Sequence, residues 1–538
     1  MAIVRREFIK GGAIITAGVS LALSRVFRSR VRADIYGPLQ ADPAGILDLP
    51  EGFSYRILET ALTDRMSDGY RVPGRPDGMA CMVTSDGNWA LMRNHEISLG
   101  DFANGPFDFG VSPPDESYHA AAPGGVTRLV VDPATGERIS SNLVLVGTVR
   151  NCAGGPSPWG WMSCEENVSR RHGYVFLCDP NAETVQMPEP IPSFGRCYRE
   201  AVAVDPRDAV TYMTEDRSDS CVYRFVPTSM ARPFEGQLQA MRVTSGERFN
   251  LASGVSVGDR LSIDWVDINI PESPEPGDIL RDTAQALGAA VLRRGEGIWF
   301  HDGSVYICST TGGPISRGQV FRIDVDTDEI VLLTQSTNAD RLDMPDNITV
   351  AWNGDVYMSE DGGGINLVRV LTADGEVCDF ARESGISEIC GICFSPDHRF
   401  LFMNLQEQGL TVVVSGPFER PEMPIGPDAG LTDAAVADAS INDAAALDGS
   451  LMLDGSGAAD ASVAVPAADG CGCSVPGAPA DNDALLVAAG VGAAAYLTSR
   501  GSRSASLRDD DRPSENESES SLQQHKETQL EDPNTGGD

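Results

Sequence analysis

The stretch EGIWFHDGSVYICSTTG, Glu296–Gly312, decides the fold. It reads as an apolar run, a tight turn at His301-Asp302-Gly303 and a second apolar run, the pattern of two antiparallel strands. Three further segments repeat it: EAVAVDPRDAVTYMTED from Glu200, DNITVAWNGDVYMSEDG from Asp346 and GICFSPDHRFLFMNLQ from Gly391. Asp346 lies 50 residues after Glu296, and Glu388, just ahead of the last copy, lies 42 after Asp346. Those intervals are close to the roughly 40–50 residues of one propeller blade. The 96 residues from Glu200 to Glu296 leave room for two blades. Upstream, VTRLVVDPATGERISSNLVLVG and WGWMSCEENVSRRHGYVFLCDP supply more strands. The expected fold is all-β, a β-propeller of about six blades, with a short helical insertion where DILRDTAQALGAAVLRR (Asp278–Arg294) shows helical periodicity. A β-sandwich is the alternative, disfavoured by this length and repeat spacing.

Composition divides the rest of the chain. Residues 1–33 read as an export signal: the twin arginine Arg5-Arg6, the apolar AIITAGVSLAL, too short to span a bilayer, and VRA for cleavage. Residues 34–426 hold the β-rich domain, and 427–470 form an Ala/Asp/Gly-rich linker too poor in large apolar side chains to build a core. Residues 471–503 carry CGCSVPG, the apolar ALLVAAGVGAAAYL and the basic SRGSR, in the order of a sorting or membrane-anchoring segment; 504–538 are a charge-rich tail expected to be disordered. The formal net charge of −37, from 41 Lys+Arg against 78 Asp+Glu, argues against a nucleic-acid partner and suits a protein that collects hard cations. Twelve cysteines in an exported chain would permit disulfides, but most sit in apolar runs where a small buried hydrophobe is the commoner meaning. The Cys390/Cys393 C-x-x-C lies in a strand pattern with no second pair at zinc-finger spacing.

The acids carry the chemical signal. Glu200, Glu296 and Asp346 directly open the first strand of a repeat, and Glu388 stands three residues upstream of the fourth. If those strands are innermost, the carboxylates converge on one mouth of the central channel and repel unless cations sit among them. Glu215-Asp216 and Glu360-Asp361 close the second strands, and Glu96 in RNHEIS ends an upstream strand. Oxygen-rich sites of this kind prefer calcium. Cys164, beside Glu165 and Glu166 in PSPWGWMSCEENVSRR, is the exception: a thiolate suits a transition metal such as iron, so the expectation is calcium on the acids with iron held in part by Cys164.

At these residues the sequence resembles the PhoX family of exported alkaline phosphatases. RNHEIS is similar to its N-H-E, NCAGGPSPWGWMSCEEN to its N-C-A-x-G-x-x-P-W-G…C-E-E-N signature, and FGRCYREAVAVD to G-R-F-x-H-E with the following strand. RGEGIWFHDGSVYICST, MPDNITV and SEICGICFSPDHRFLFMNLQ resemble the later motifs in order. The resemblance implies an exported phosphomonoesterase of the periplasm or cell surface, acting on small phosphate esters with a calcium and iron cluster in its funnel. It implies metal ligands at Cys164, Glu200, Glu296 and Glu388, with Asp216 and Asp346 on calcium; Glu96, at its strand end, and Glu166 are further candidate ligands. It sets Arg294 against substrate phosphate, with Arg217 in reserve, although Arg294 also reads as a helix-end cation. Arg199 and Gly295 stand where the family has His and Pro. The segment 471–503 resembles the MYXO-CTERM sorting signal, and a monomer is the expected state. The rivals are a calcium-dependent lactonase-like hydrolase and a noncatalytic, metal-stabilised surface propeller.

Overall fold

A computed structural model describes residues 35–269, 277–385 and 387–418. The expected export signal, linker, sorting segment and tail lie outside the described residues. The fold is all-β and propeller-like. Four sheets of four or six strands stand beside one of nine. The count of about six separate blades is therefore not met by hydrogen bonding, because the long strands Arg232–Val243 and Arg260–Asp267 extend one blade until Arg260–Ser262 pair with Val331–Glu329 of the next. That nine-stranded sheet carries a central strand at each end.

Six strands line the axis and touch their neighbours in a closed ring: Pro76–Val83, Asn151–Ser157, Arg199–Val204, Gly295–His301, Pro345–Val350 and Ile389–Phe394. Chain closure is antiparallel, since Ser54–Thr60 near the start pairs with Leu410–Ser415 near the end. Alternation buries one row of apolar side chains between adjacent sheets, as in the cluster of Met162, Val175, Phe194, Val202, Met213 and Tyr223.

Every inner strand begins in the same way. The residue after each second strand donates its amide to the carbonyl of the residue before the inner strand: Glu96 to Arg75 (2.9 Å), Glu166 to Arg150 (2.9 Å), Asp216 to Tyr198 (3.1 Å), Thr310 to Arg294 (2.9 Å), Asp361 to Met344 (2.9 Å) and Gln406 to Glu388 (3.0 Å). A β-bulge follows in all six strands. A bulge puts two residues opposite one and re-aims the extra side chain, here toward the axis.

The expected helix is shorter than its periodicity. It runs Ile279–Ala286 and stops because Gly288 takes φ +87°, after which Val291 and Leu292 bridge to Asn250 and Ser220. Arg294 accordingly belongs to the start of an inner strand rather than to a helix end.

Small residues permit the convergence. A Cβ on Gly297 would lie 2.5 Å from the Asp346 carbonyl oxygen, whereas one on Gly363 would meet nothing within 4 Å. Gly297→Ala is expected to cost about 1–3 kcal/mol and Gly363→Ala less than about 0.5 kcal/mol; thermal denaturation of the two variants side by side checks the difference.

Candidate active site

Two residues beyond each amide-to-carbonyl tether stands one side chain of the bulge: Asp77, Cys152, Glu200, Glu296, Asp346 and Cys390. All six are metal-ligand types. Four groups bring three ligand atoms within 4.8 Å of one another: Asp77–Glu96–Cys152, Asp77–Glu388–Cys390, Cys152–Glu166–Glu200 and Glu200–Glu296–Asp346. The next residues along five of these strands, Gly78, Ala153, Ala201, Gly297 and Asn347, line a cavity of about 20 Å³, room for little more than a water. Small side chains thus line the axis just past the acids.

The second strands supply the rim. Glu165, Glu215 and Glu360 end those strands and turn back into their own blades. Glu165 accepts from the Gly173 amide (2.8 Å) and His172 Nδ1 (2.6 Å), Glu215 from the Cys221 amide (3.0 Å) and the Tyr223 hydroxyl (2.9 Å), and Glu360 from the Asp343 amide and Arg369 Nε (both 2.8 Å). The residue after each, Glu166, Asp216 and Asp361, is thereby left to the funnel. Glu96 does the same after His95, whose ring is fixed between the Gly74 carbonyl and the Thr127 hydroxyl, each 2.9 Å away.

Two arginines lie among these acids. Arg294 grips Asp216 through Nε and Nη2 (2.9 and 3.1 Å), meets Glu296 at 2.6 Å and approaches Asp361 at 3.9 Å. Arg150 Nη2 bridges Glu96, at 2.6 Å, and Glu166. Against these two cations stand the carboxyls of Asp77, Glu96, Glu166, Glu200, Asp216, Glu296, Asp346, Asp361 and Glu388. Burial, reinforced by neighbouring acids, pushes Asp77, Glu200, Glu296 and Glu388 well above the usual carboxylate range. Burial likewise raises Glu166 to about 8, Asp346 to about 7 and Asp361 to about 6. Two carboxylates 4.8 Å apart repel by about 3 kcal/mol at an effective dielectric near 20. A handful of such pairs rivals the whole stability of a domain, about 5–15 kcal/mol. Cations resolve the conflict. Glu200 Oε2 is buried without any hydrogen-bond partner, and Glu200 belongs to two of the four ligand groups, so the residues fit a bound cation cluster.

The structure brings together Glu200, Asp216, Glu296, Asp346, Glu388, Glu96, Glu166 and Arg294 from the sequence expectations. It does not bring Cys164. That thiol lies inside a second strand opposite Val175, fully buried in an apolar cluster with Met162, Phe194 and Cys197, and burial drives its pKa up. Cys164 is therefore corrected from ligand to core residue, and the funnel thiols are Cys152 and Cys390. The missed signal is a ligand-type residue followed by a small or amide one at the strand start: PDG at 76–78, NCA at 151–153, REA at 199–201, GEG at 295–297 and PDN at 345–347. The tryptophan of the W-G-W motif serves Cys152 indirectly. Trp161 Nε1 donates to Asn94 Oδ1 (2.8 Å), and Asn94 Nδ2 donates to the Cys152 and Ala153 carbonyls (3.1 and 2.6 Å), fixing the bulge. Arg217 is also placed apart, over the Tyr198 ring at 4.4 Å and 3.6 Å from Asp278.

A closed ring of inner strands that gathers buried acids and thiols at one mouth is a scaffold for binding cations. Over residues 35–409 the chain matches the family described as alkaline phosphatase PhoX. It belongs to that family and is a metal-dependent phosphatase, a phosphoric monoester hydrolase acting on phosphate esters. Among solved structures it is similar to Pseudomonas fluorescens PhoX in complex with vanadate, a transition state analogue, with a TM-score of 0.57 at 17% identity over 71% of this chain and 97% of that one. A gluconolactonase from Xanthomonas campestris follows at TM-score 0.36, 14% identity, 72% of this chain and 99% of that one. Virginiamycin B lyase from Staphylococcus aureus stands at 0.34 and 12%, over 68% and 99% of the two chains. These two likenesses are too low to bear on the site. No curated protein matches the chain.

The raised carboxyls set a pH dependence. Their folded pKa values lie above the unfolded values near 4, so the stability of the metal-free protein is fully present below about pH 4 and lost as pH rises through about 6–8. In excess chelator the melting temperature is expected to fall across that window, and saturating divalent cation to flatten the slope. Asp346→Asn, which removes a carboxyl raised to about 7 and so charged at pH 8, is expected to stabilise the chelated protein at pH 8 while weakening cation binding; differential scanning fluorimetry with and without chelator reads both.

Proposed function

We propose that the chain hydrolyses phosphomonoesters outside the cytoplasm at a mixed cluster, calcium in the all-oxygen sector Glu200–Glu296–Asp346 and iron in the sectors that hold Cys152 and Cys390. The observation that carries this reading is the ring of six ligand-type side chains at one repeated position, with oxygen donors on one side and two thiols flanking Asp77 on the other. Hard cations take carboxylates, and thiolates select transition metals. Counting the nine-stranded sheet as two blades fused at their outer edges makes the funnel a six-module propeller, one ring position per module.

Bound cations supply positive charge to the phosphoryl oxygens as the ester bond breaks. The protein's own residues supply the rest. The acids exclude an anionic ester from an unneutralised funnel, so substrate enters only once their charge is balanced. Arg294 is left-handed at φ +47° and held at Nε and Nη2 by Asp216, and its planar fork matches a phosphoryl group. Asp216, Asp361 and Glu388 would complete a cation shell from the rim, with Glu96 and Glu166 shared between that shell and Arg150. Arg217 positions the loop below Arg294, whose amide donates to the Arg217 carbonyl at 2.9 Å. Export by the twin-arginine route, which carries folded proteins, would let metal load first. Membrane attachment through 471–503 and a monomeric catalytic unit complete the proposal.

Chelation is expected to abolish hydrolysis of a chromogenic phosphomonoester, with calcium required for recovery. Cys152→Ser is expected to lose iron and more than about a hundredfold in kcat. Cys164→Ala is expected to keep its metals and lose about 1–3 kcal/mol of stability as a cavity-forming core change. Metal analysis, steady-state kinetics and thermal denaturation of the two variants check this, and full activity with unchanged iron in Cys152→Ser would overturn the assignment.

A further inference from the structure

Arg150 holds the same place as Arg294. Arg75, Arg150 and Arg294 each directly precede an inner strand, each has φ between 47° and 49°, and each gives its carbonyl to the residue that follows a second strand. Residues other than glycine, asparagine and aspartate seldom take this left-handed conformation, and where they are held in it they gather at ligand sites. Met344 takes the same conformation, at φ 56°, before another inner strand, so it is a property of the strand entry, and at three of these entries the residue held there is an arginine.

The three side chains then diverge. Arg75 stays on the rim, its Nη1 3.1 Å from Gln406 Oε1 and 3.0 Å from Glu407 Oε1. Arg150 and Arg294 enter the acids: Arg150 meets Glu166 and Arg294 meets Glu296, and each of those carboxylates lies within 4.8 Å of Glu200 in a ligand group. The two guanidiniums therefore flank the acids around Glu200. Arg150 keeps 38% of its side chain exposed, yet its Nε is buried and has no hydrogen-bond partner. The single nitrogen Nη2 bridges Glu96 and Glu166, which leaves Nε without a partner.

We propose that Arg150 is a second phosphoryl-binding residue, acting with Arg294 on the same group. A monoester dianion presents three non-ester oxygens, more than one fork can satisfy, and a planar guanidinium pairs two of them at a time. Glu96 and Glu166 hold Arg150 in place and surrender its donors as their carboxylates turn to cations. This inference rests on the phosphatase reading of the same funnel.

The test uses the full chain loaded with calcium and iron, inorganic phosphate as the probe, and Arg150→Ala beside Arg150→Lys. Arg150→Ala is expected to keep the wild-type metal content and raise the inhibition constant for phosphate about ten- to hundredfold, the loss expected when charge-assisted hydrogen bonds are removed. Arg150→Lys, which restores charge without the fork, is expected to recover only part of that loss. An unchanged phosphate constant overturns the inference. So does a loss of metal in both variants with normal phosphate affinity per metal-loaded molecule, because that outcome makes Arg150 a counter-ion for Glu96 and Glu166. Absence of phosphate binding by the wild-type, metal-loaded protein fails the phosphatase reading itself, and this inference with it.

Discussion

Buried like charge at the axis is the constraint on which the rest of the structure depends. Nine carboxyl groups share one funnel with the guanidiniums of Arg150 and Arg294, and the burial that makes the funnel also withholds the water that would screen them. The sheets could relieve that repulsion by moving apart. They do not, because the apolar rows between sheets and the antiparallel closure of Ser54–Thr60 on Leu410–Ser415 fix the diameter. The scaffold keeps the acids close at a cost in its own stability. A tight cation site requires that arrangement, since a rigid, pre-formed set of donors loses little on binding.

Repetition makes the site, and local departures from it make the chemistry. One bulge and one amide-to-carbonyl tether recur around the axis, so a single backbone solution aims six side chains. Their identities differ in a way symmetry alone would not give. Glu200, Glu296 and Asp346 offer oxygen only, whereas Cys152 and Cys390 stand on either side of Asp77. Hard and soft donors are thereby separated by position within one ring, and Asp77 is shared between the two thiol-bearing groups.

Much of this was legible in the sequence, and the parts that were not have physical reasons. Strand pairs with a period of 42–50 residues gave the propeller-like fold, and acids at the strand starts gave most of the funnel. Hydrogen bonding between outer strands was not legible, because Arg232–Val243 and Arg260–Asp267 carry no signal of the partner blade they reach. Cys164 was misread because adjacent Glu165 and Glu166 look alike in sequence and differ in direction. Glu165 turns back to His172 and the Gly173 amide, Glu166 faces the funnel, and the thiol before them lies inside the strand. Cys152 was overlooked because it stands among glycines and a proline, far from any repeat that begins with an acid. Its place becomes visible only when residues are aligned on the bulge rather than on the apolar run.

The arginines belong to the same logic. In a funnel this acidic, an anion-binding group has to be held against nearby carboxylates without being lost to them. A guanidinium suits this better than an ammonium, because its donors are spread over a plane and its charge survives burial. Arg294 is anchored through two nitrogens on Asp216 and meets Glu296 through one of them, while Arg150 leans on Glu96 and Glu166 through a single nitrogen. Anchoring by the same acids that face the ligand groups couples the two halves of the site, since whatever draws the carboxylates inward also frees the forks. On the proposed reading, binding of cation and binding of phosphate would be linked through these shared side chains, and linkage of this kind is reciprocal.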